Sequence, residues 1–219
     1  QKSSFRRYAD VLEKLGFPVL LNFSSIYGDG KGNFAEIEPV AGTKDNLKWI
    51  GIAPFAKHVG KIYPIELQEQ IVAHFAADPK VKVFLFGGGK SEQEVFDSWV
   101  AKYPSVVSMI GKLNMRTELN LMSHLDVMLS MDSANMHLAS LVNIPVISVW
   151  GATHPYAGFM GWKQLPVNTV FSGYGYKGGC LHYPVGRTKT ISNVVLTITI
   201  NFPERCHYLP LLRVFQSIR

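Results

Sequence analysis

A group of polar residues lies at one predicted strand–helix junction, in residues 131–140. Asp132, Ser133 and Asn135 follow an apolar run that predicts a short buried strand, and all three are residue types that cap helices. A helix that begins directly after a strand leaves unpaired backbone N–H groups and the positive end of its dipole at the C-terminal edge of that strand. Such an edge suits an anion, above all phosphate, and His137 in the first helical turn could donate to the same anion.

A purely structural role is the alternative at each of these positions. Every strand–helix junction in an α/β domain needs a cap, so Asp132 and Ser133 are also consistent with a cap that binds nothing. His137 is also consistent with a buried, hydrogen-bonded core histidine. The loops predicted beside this junction favour the anion site.

Predicted strands and helices alternate on both sides of the junction. Apolar runs predict five strands, at residues 49–54, 81–86, 106–109, 127–130 and 144–150. Helical spacing predicts four intervening helices, at 64–77, 91–102 (opened by a capping box), 115–124 (capped by Asn114) and after Asp132. This alternation predicts an α/β fold with a doubly wound parallel sheet, in which ligands lie beyond the C-terminal ends of the strands.

Four predicted loops meet at that edge of the sheet, at residues 54–63, 87–92, 110–114 and 130–137. The first loop is basic and includes Lys57 and Lys61. The second is glycine-rich, so that backbone near Gly88 can approach a ligand, and its Glu92 could accept hydrogen bonds from a ribose diol. Together with the helix N-terminus these groups suit a nucleotide diphosphate, although a solvated loop is the alternative for the two lysines.

Composition narrows the classes of partner. The chain of 219 residues is 47% hydrophobic and carries a formal net charge of +6, which suits a polyanionic partner or an anionic membrane surface. The basic residues are scattered and no basic helix with interleaved aromatics occurs, so we expect no nucleic-acid partner.

The long uncharged stretch after Ser133 is broken by polar residues and prolines, which is unlike a membrane span. Cys180 and Cys206 form no disulfide framework or zinc-ligand spacing, so we expect a cytoplasmic protein without a bound metal.

Three segments resemble the donor-domain motifs of glycosyltransferase family 9, which contains the ADP-heptose:lipopolysaccharide heptosyltransferases. Residues 49–54 with 61–64 resemble the first motif, and residues 86–89 with Glu92 resemble the second. Residues 132–139 with 145–155 are similar to the third and most specific motif. The resemblance covers about residues 47–162.

The resemblance implies the GT-B fold, in which two Rossmann-like domains face each other and the C-terminal one binds most of the donor. On this interpretation residues 1–44 are the tail of an N-terminal domain and a linker, and residues 45–190 are the nucleotide-sugar donor-binding domain. Residues 191–219 form an atypical C-terminal tail, whose alternation at 191–200 suggests a strand where the family has a helix. A further departure is Phe55, which stands where the family more usually has glycine.

The resemblance also implies roles for individual residues. Lys61 would contact the donor diphosphate or sugar, Glu92 the ribose, and Leu113 would lie near the adenine. Asp132, with the backbone of Ser133 and Ala134, would hold phosphate and sugar hydroxyls, and His137 would support that turn. Gly88 and Asn135 complete the predicted donor-binding set.

The implied function is transfer of heptose or a related sugar from a nucleotide sugar, expected to be ADP-heptose, to a lipopolysaccharide core or lipid A acceptor. We expect no metal and no cofactor, and a cytoplasmic location peripheral to the inner membrane. The family's carboxylate base lies in the N-terminal domain, so no catalytic residue is assigned in this chain. Two alternatives stay open: a non-catalytic nucleotide-binding or structural module, and a nucleotide-sugar hydrolase or epimerase.

Overall fold

The computed structural model describes residues 1–171, which form alternating strands and helices around one parallel sheet. The strands are β1 (Lys48–Ala53), β2 (Val81–Leu85), β3 (Val106–Ser108), β4 (Val127–Met131), β5 (Val146–Trp150) and β6 (Thr169–Phe171). The helices are α1 (Ser4–Lys14), α2 (Glu38–Ala41), α3 (Ile65–Ala76), α4 (Lys90–Lys102), α5 (Met115–His124) and α6 (Ala134–Leu141). Short 3-10 turns occur at Phe34–Glu36, Val59–Lys61, Pro155–Ala157 and Pro166–Asn168.

The six described strands are all parallel and follow the order β3-β2-β1-β4-β5-β6. The chain progresses outward in one direction from β1 and in the other from β4, so the direction of winding reverses between these two neighbours. Ligands of doubly wound sheets bind at this switch point, beyond the carboxyl ends of the strands. The prediction of a doubly wound parallel sheet is confirmed. The sixth strand was not predicted, because its three half-buried residues form no recognisable run.

Both faces of the sheet are buried, which is why its strands are almost uniformly apolar. Successive residues of a strand point to opposite faces. On β1, Trp49 therefore belongs to the core beneath α5 and α6, whereas Ile50 and Ile52 belong to the core beneath α3 and α4. Trp99 of α4 is fully buried in the latter core.

Residues 28–44 pack on the domain that contains the sheet. Ile37 and Ala41 are fully buried in the core beneath α5. Gly32 donates its N–H to Ser123 Oγ at 2.8 Å, and a Cβ added to Gly32 would lie 2.5 Å from the Cα of Asn120. Only glycine fits at position 32, since this segment approaches α5 so closely there.

Helix α1 is attached by its first turn to the segment that follows β5. Ser4 donates both its N–H and its Oγ to the carbonyl oxygen of Gly158, each at 2.8 Å, and the Phe5 ring meets that of Trp162 edge-on. Apolar side chains of the rest of this segment, including Tyr8 and Leu15, are exposed within the described part of the chain. Across residues 1–171, no helix combines the length and the apolar character that crossing a bilayer requires. The predicted strand at residues 191–200 and both cysteines lie outside the described residues.

Candidate functional site

An open cleft of about 620 Å³ lies at the carboxyl ends of β1, β2 and β4, at the switch point of the sheet. Eight of the nine predicted donor-binding residues line it: Lys61, Gly88, Glu92, Asp132, Ser133, Ala134, Asn135 and His137. Leu113 does not line the cleft, because its side chain packs against the core beneath α5. Met115 and Glu118, on the first turn of α5, line the cleft beside the place predicted for Leu113.

The ion pair between Lys61 and Asp132 is the central polar contact of the cleft. Lys61 Nζ lies 2.7 Å from Asp132 Oδ2, and the Asp132 side chain is only 6% exposed. Thr153, in the segment after β5, donates its hydroxyl to the same carboxylate oxygen at 2.6 Å. A buried carboxylate needs such partners because it has lost the hydration of its charge. The pair therefore holds the ammonium group of Lys61 at the beginning of α6.

The backbone around Lys61 is held by the segment that follows β5. Lys61 ends the 3-10 turn Val59–Lys61, and the carbonyl oxygen of Gly60 accepts a hydrogen bond from Ala152 N–H at 2.9 Å. A Cβ added to Gly151 would lie 2.5 Å from that carbonyl oxygen, so the close approach requires glycine there. Loops that follow three different strands thus meet around one lysine.

The N-terminus of α6 is not capped by a side chain. Ser133 occupies the N-cap position in an extended conformation, but its hydroxyl lies near Ser130 Oγ and accepts nothing from the first turn. The Asp132 carboxylate is engaged by Lys61 and Thr153, and Asn135 lies within the helix. The interpretation of these residues as an ordinary cap is therefore wrong, and N–H groups of the first turn are left for another acceptor.

His137 is half-buried in the first turn of α6, and its ring meets that of Phe5 edge-on at 6.4 Å. Burial lowers the pKa of His137, the Asp132 carboxylate opposes that shift, and the Lys61 ammonium adds to it. Within residues 1–171 the ring makes no hydrogen bond to protein. A neutral imidazole of this kind can donate one N–H to an anion in the cleft.

Glu92 is positioned by the glycine-rich loop that precedes α4. Its Oε2 accepts a hydrogen bond from Gly88 N–H at 2.8 Å, and Gly89 at φ 91° is the N-cap of the helix. The predicted capping box opening at Ser91 is wrong, because α4 already begins at Lys90. The backbone of Gly88 and the carboxylate of Glu92 consequently face the cleft together.

Glu118 is a cleft residue that the sequence motifs did not indicate. The predicted cap at Asn114 is confirmed: its side chain accepts from Thr117 N–H at 3.0 Å, and its own N–H donates to Thr117 Oγ1 at 3.0 Å. That cap fixes the first turn of α5 at the ligand-binding edge, which is the signal that could have identified Met115 and Glu118. Burial raises the pKa of Glu118, and within the described residues no cation pairs with it.

A metal site finds no support in the part of the chain that the structure describes. No three histidine, cysteine, aspartate or glutamate side chains gather there in a way that could hold an ion. Among residues 1–171, the lysines that line the cleft are Lys61 and the exposed Lys57 of the same loop.

Solved structures share this architecture over part of their length. A family 9 glycosyltransferase from Veillonella parvula is 17% identical, with a TM-score of 0.60 over 78% of this chain and 49% of that one. The heptosyltransferase WaaC of E. coli, solved with ADP, is 19% identical, with a TM-score of 0.50 over 59% of this chain and 38% of that one. ADP-heptose lipopolysaccharide heptosyltransferase II of E. coli is 17% identical, with a TM-score of 0.50 over 65% and 46%.

This chain therefore spans about half the length of these three solved proteins, or less. At these identities the likeness establishes the fold alone, which is the Rossmann-like α/β half of a GT-B protein. No curated protein matches the chain. The sequence model of glycosyltransferase family 9 (heptosyltransferase) matches residues 28–170, a longer segment than the motifs alone indicated. Since that match covers more than half of the 219 residues, the chain belongs to glycosyltransferase family 9.

Proposed function

We propose that this chain is the donor-binding part of a glycosyltransferase that uses a nucleotide diphosphate sugar. The observation that carries the proposal is the position of Lys61, whose ammonium group lies at the uncapped N-terminus of α6. A pyrophosphate at this place would accept hydrogen bonds from the first-turn N–H groups and from Lys61. These donors would also stabilise the negative charge that develops on the nucleotide diphosphate as the sugar departs.

The remaining cleft residues fit the rest of such a donor. Asp132 has a second carboxylate oxygen that could accept from a sugar hydroxyl while Oδ2 keeps Lys61 in place. Glu92 would take the ribose hydroxyls through Oε1, since its other oxygen is used by Gly88. Met115 supplies apolar surface for a nucleobase, a role that the family resemblance implied for Leu113.

We propose ADP-heptose as the donor, and a lipopolysaccharide core or lipid A as the acceptor. Support comes from the family itself and from the E. coli relative whose structure contains ADP. In this proposal residues 45–190 bind the donor, residues 28–44 pack on that domain, and the acceptor and the base belong to a second domain. The complete protein would work at the cytoplasmic face of the inner membrane, where such acceptors are built.

Nucleotide binding by the purified full chain tests the proposal. We expect ADP to raise the melting temperature more than UDP or GDP does, because bound ligand stabilises the folded state. Lys61→Met removes a charged hydrogen bond worth about 1.5–3 kcal/mol, which corresponds to roughly 10- to 150-fold weaker ADP binding by calorimetry. Lys80→Met is the matched control, because exposed Lys80 precedes β2 at the opposite edge of the sheet. If no nucleotide changes the melting temperature, the proposal is wrong.

A further inference from the structure

Gln68 is a polar side chain in the core, close to the cleft but not lining it. It lies in the first turn of α3 and is only 1% exposed. Its Nε2 donates to the carbonyl oxygen of Pro54 at 2.7 Å and to that of Tyr63 at 2.8 Å. One side-chain amide therefore satisfies two buried backbone acceptors.

These two acceptors lie at the two ends of the loop that carries Lys61. Pro54 directly follows β1, and Tyr63 lies two residues before α3. The Tyr63 N–H also contacts Met131 Sδ, at 3.4 Å, at the end of β4. Gln68 thus joins the beginning of the loop to its end, while the contact with Met131 ties that end to the strand that leads into Asp132.

The orientation of the Gln68 amide follows from the chemistry of its partners. Carbonyl oxygens only accept hydrogen bonds, so the NH2 group must face Pro54 and Tyr63. The amide oxygen Oε1 is then buried without a hydrogen-bond partner within residues 1–171. A buried acceptor without a partner lowers stability. A residue of similar length without the amide would avoid this penalty, but it would lose both hydrogen bonds that join the ends of the loop.

We propose that Gln68 is a positioning residue for nucleotide binding. By joining the ends of the loop of residues 54–63, it holds the turn Val59–Lys61 where Lys61 meets Asp132, and so holds the ammonium group at the phosphate site. This inference rests on the proposed nucleotide-binding function. It assigns Gln68 no contact with the ligand, because its effect passes through Lys61.

ADP titrations of three variants of the full chain test this role. Gln68→Met keeps the side-chain length and removes both hydrogen bonds, and we expect about tenfold weaker ADP binding, the lower end of the range expected for loss of the Lys61 contact itself. Gln68→Glu places a carboxylate oxygen against two carbonyl oxygens and should weaken binding further. Gln70→Met is the matched control, since Gln70 is exposed on the same helix, and it should bind ADP as the parent chain does.

A double-mutant cycle separates positioning from general loss of structure. If Gln68 acts through Lys61, Gln68→Met should not weaken ADP binding further in a Lys61→Met background. Equal weakening in both backgrounds would overturn the proposal, as would unchanged binding by Gln68→Met. If neither Gln68 variant folds, the residue is structural and the proposal is also wrong.

A second cycle needs no ligand, so it remains informative even if the parent chain binds no nucleotide. The coupling between Lys61→Met and Asp132→Asn is measured by urea unfolding, with and without Gln68→Met. We expect the coupling present in the parent chain to disappear when Gln68 is replaced. A coupling that stays unchanged would show that Gln68 does not position Lys61, whatever the outcome for the proposed function.

Discussion

Three carboxylates line a cleft that we propose binds an anion, and each of them has different partners. Asp132 is paired with Lys61 at 2.7 Å, so its charge is offset. Glu92 accepts a hydrogen bond from Gly88 N–H. Glu118 has no pairing cation within the described residues, and burial raises its pKa. At the residue scale, Glu118 is therefore the group whose charge is least compensated.

The titration of Glu118 should make stability depend on pH. Because the pKa of Glu118 is higher in the folded chain than its ordinary value of 4.5, the folded state binds the proton more tightly than the unfolded state. The stabilisation is fully present below the ordinary value and is lost as the pH rises through the raised, folded value. We therefore expect Glu118→Gln to be more stable than the parent chain at neutral pH and equally stable in acid.

Urea unfolding between about pH 4 and pH 8 measures this difference. Glu94→Gln is the control, because Glu94 is exposed on α4 and should give no gain that grows with pH. A Glu118→Gln variant that is no more stable than the parent chain at pH 8 would mean that burial does not penalise this carboxylate.

At the scale of elements, the cleft depends on a contact between two loops that are far apart in the sequence. The turn Val59–Lys61 follows β1, and Gly151 follows β5, with β4 lying between these strands in the sheet. Their contact is the hydrogen bond from Ala152 N–H to the carbonyl oxygen of Gly60. Anything that separates the two loops should move Lys61 away from α6.

Gly151→Ala should separate these loops. The added Cβ would lie 2.5 Å from the carbonyl oxygen of Gly60, which is backbone and cannot rotate away. Overpacking of this kind typically costs about 1–3 kcal/mol of unfolding free energy, and we expect weaker ADP binding as well. Gly30→Ala is the control, because its Cβ would meet only Tyr27 O at an ordinary 3.5 Å. Equal stability of the two variants in urea would show that the loops accommodate the methyl group.

The sequence predicted those features that depend on neighbouring residues. The apolar runs placed β1 to β5, the residue types at Asn114 placed the cap of α5, and the turn from Asp132 to His137 follows from its own composition. The capping box at Ser91 failed for a local reason as well. Gly89, at φ 91°, is already the N-cap of α4, so Ser91 lies within the first turn of the helix instead of capping it.

Other features could not be predicted, because they depend on contacts between distant segments. The hydrogen bond from Thr153 to Asp132 joins loops that follow β5 and β4. Gly32 is buried against Asn120, and the glycine-rich composition of its segment does not indicate this burial. The two hydrogen bonds of Gln68 likewise depend on the tertiary structure, because they join the two ends of the loop of residues 54–63.

At the scale of the whole molecule, one sheet separates two apolar cores. The cleft is lined by residues from elements on both faces of this sheet. Trp99 reports on the core beneath α3 and α4, and Trp49 on the core beneath α5 and α6. Glu92 reaches the cleft from the first side and His137 from the second. A ligand bound there would therefore contact elements that pack on both cores.

We expect the two cores to unfold together and to be stabilised equally by ADP. Because β1 contributes Trp49 to one core and Ile52 to the other, neither core can be lost while this central strand keeps its packing. Fluorine NMR of chain labelled with fluorotryptophan, assigned by Trp→Phe substitutions, can follow Trp49 and Trp99 separately during urea unfolding. ADP at 100 times its dissociation constant should add about 2.7 kcal/mol to the unfolding free energy reported by either residue. A lower midpoint for one tryptophan, or a shift with ADP at only one of them, would mean that the cores unfold independently and that the cleft belongs to a single layer.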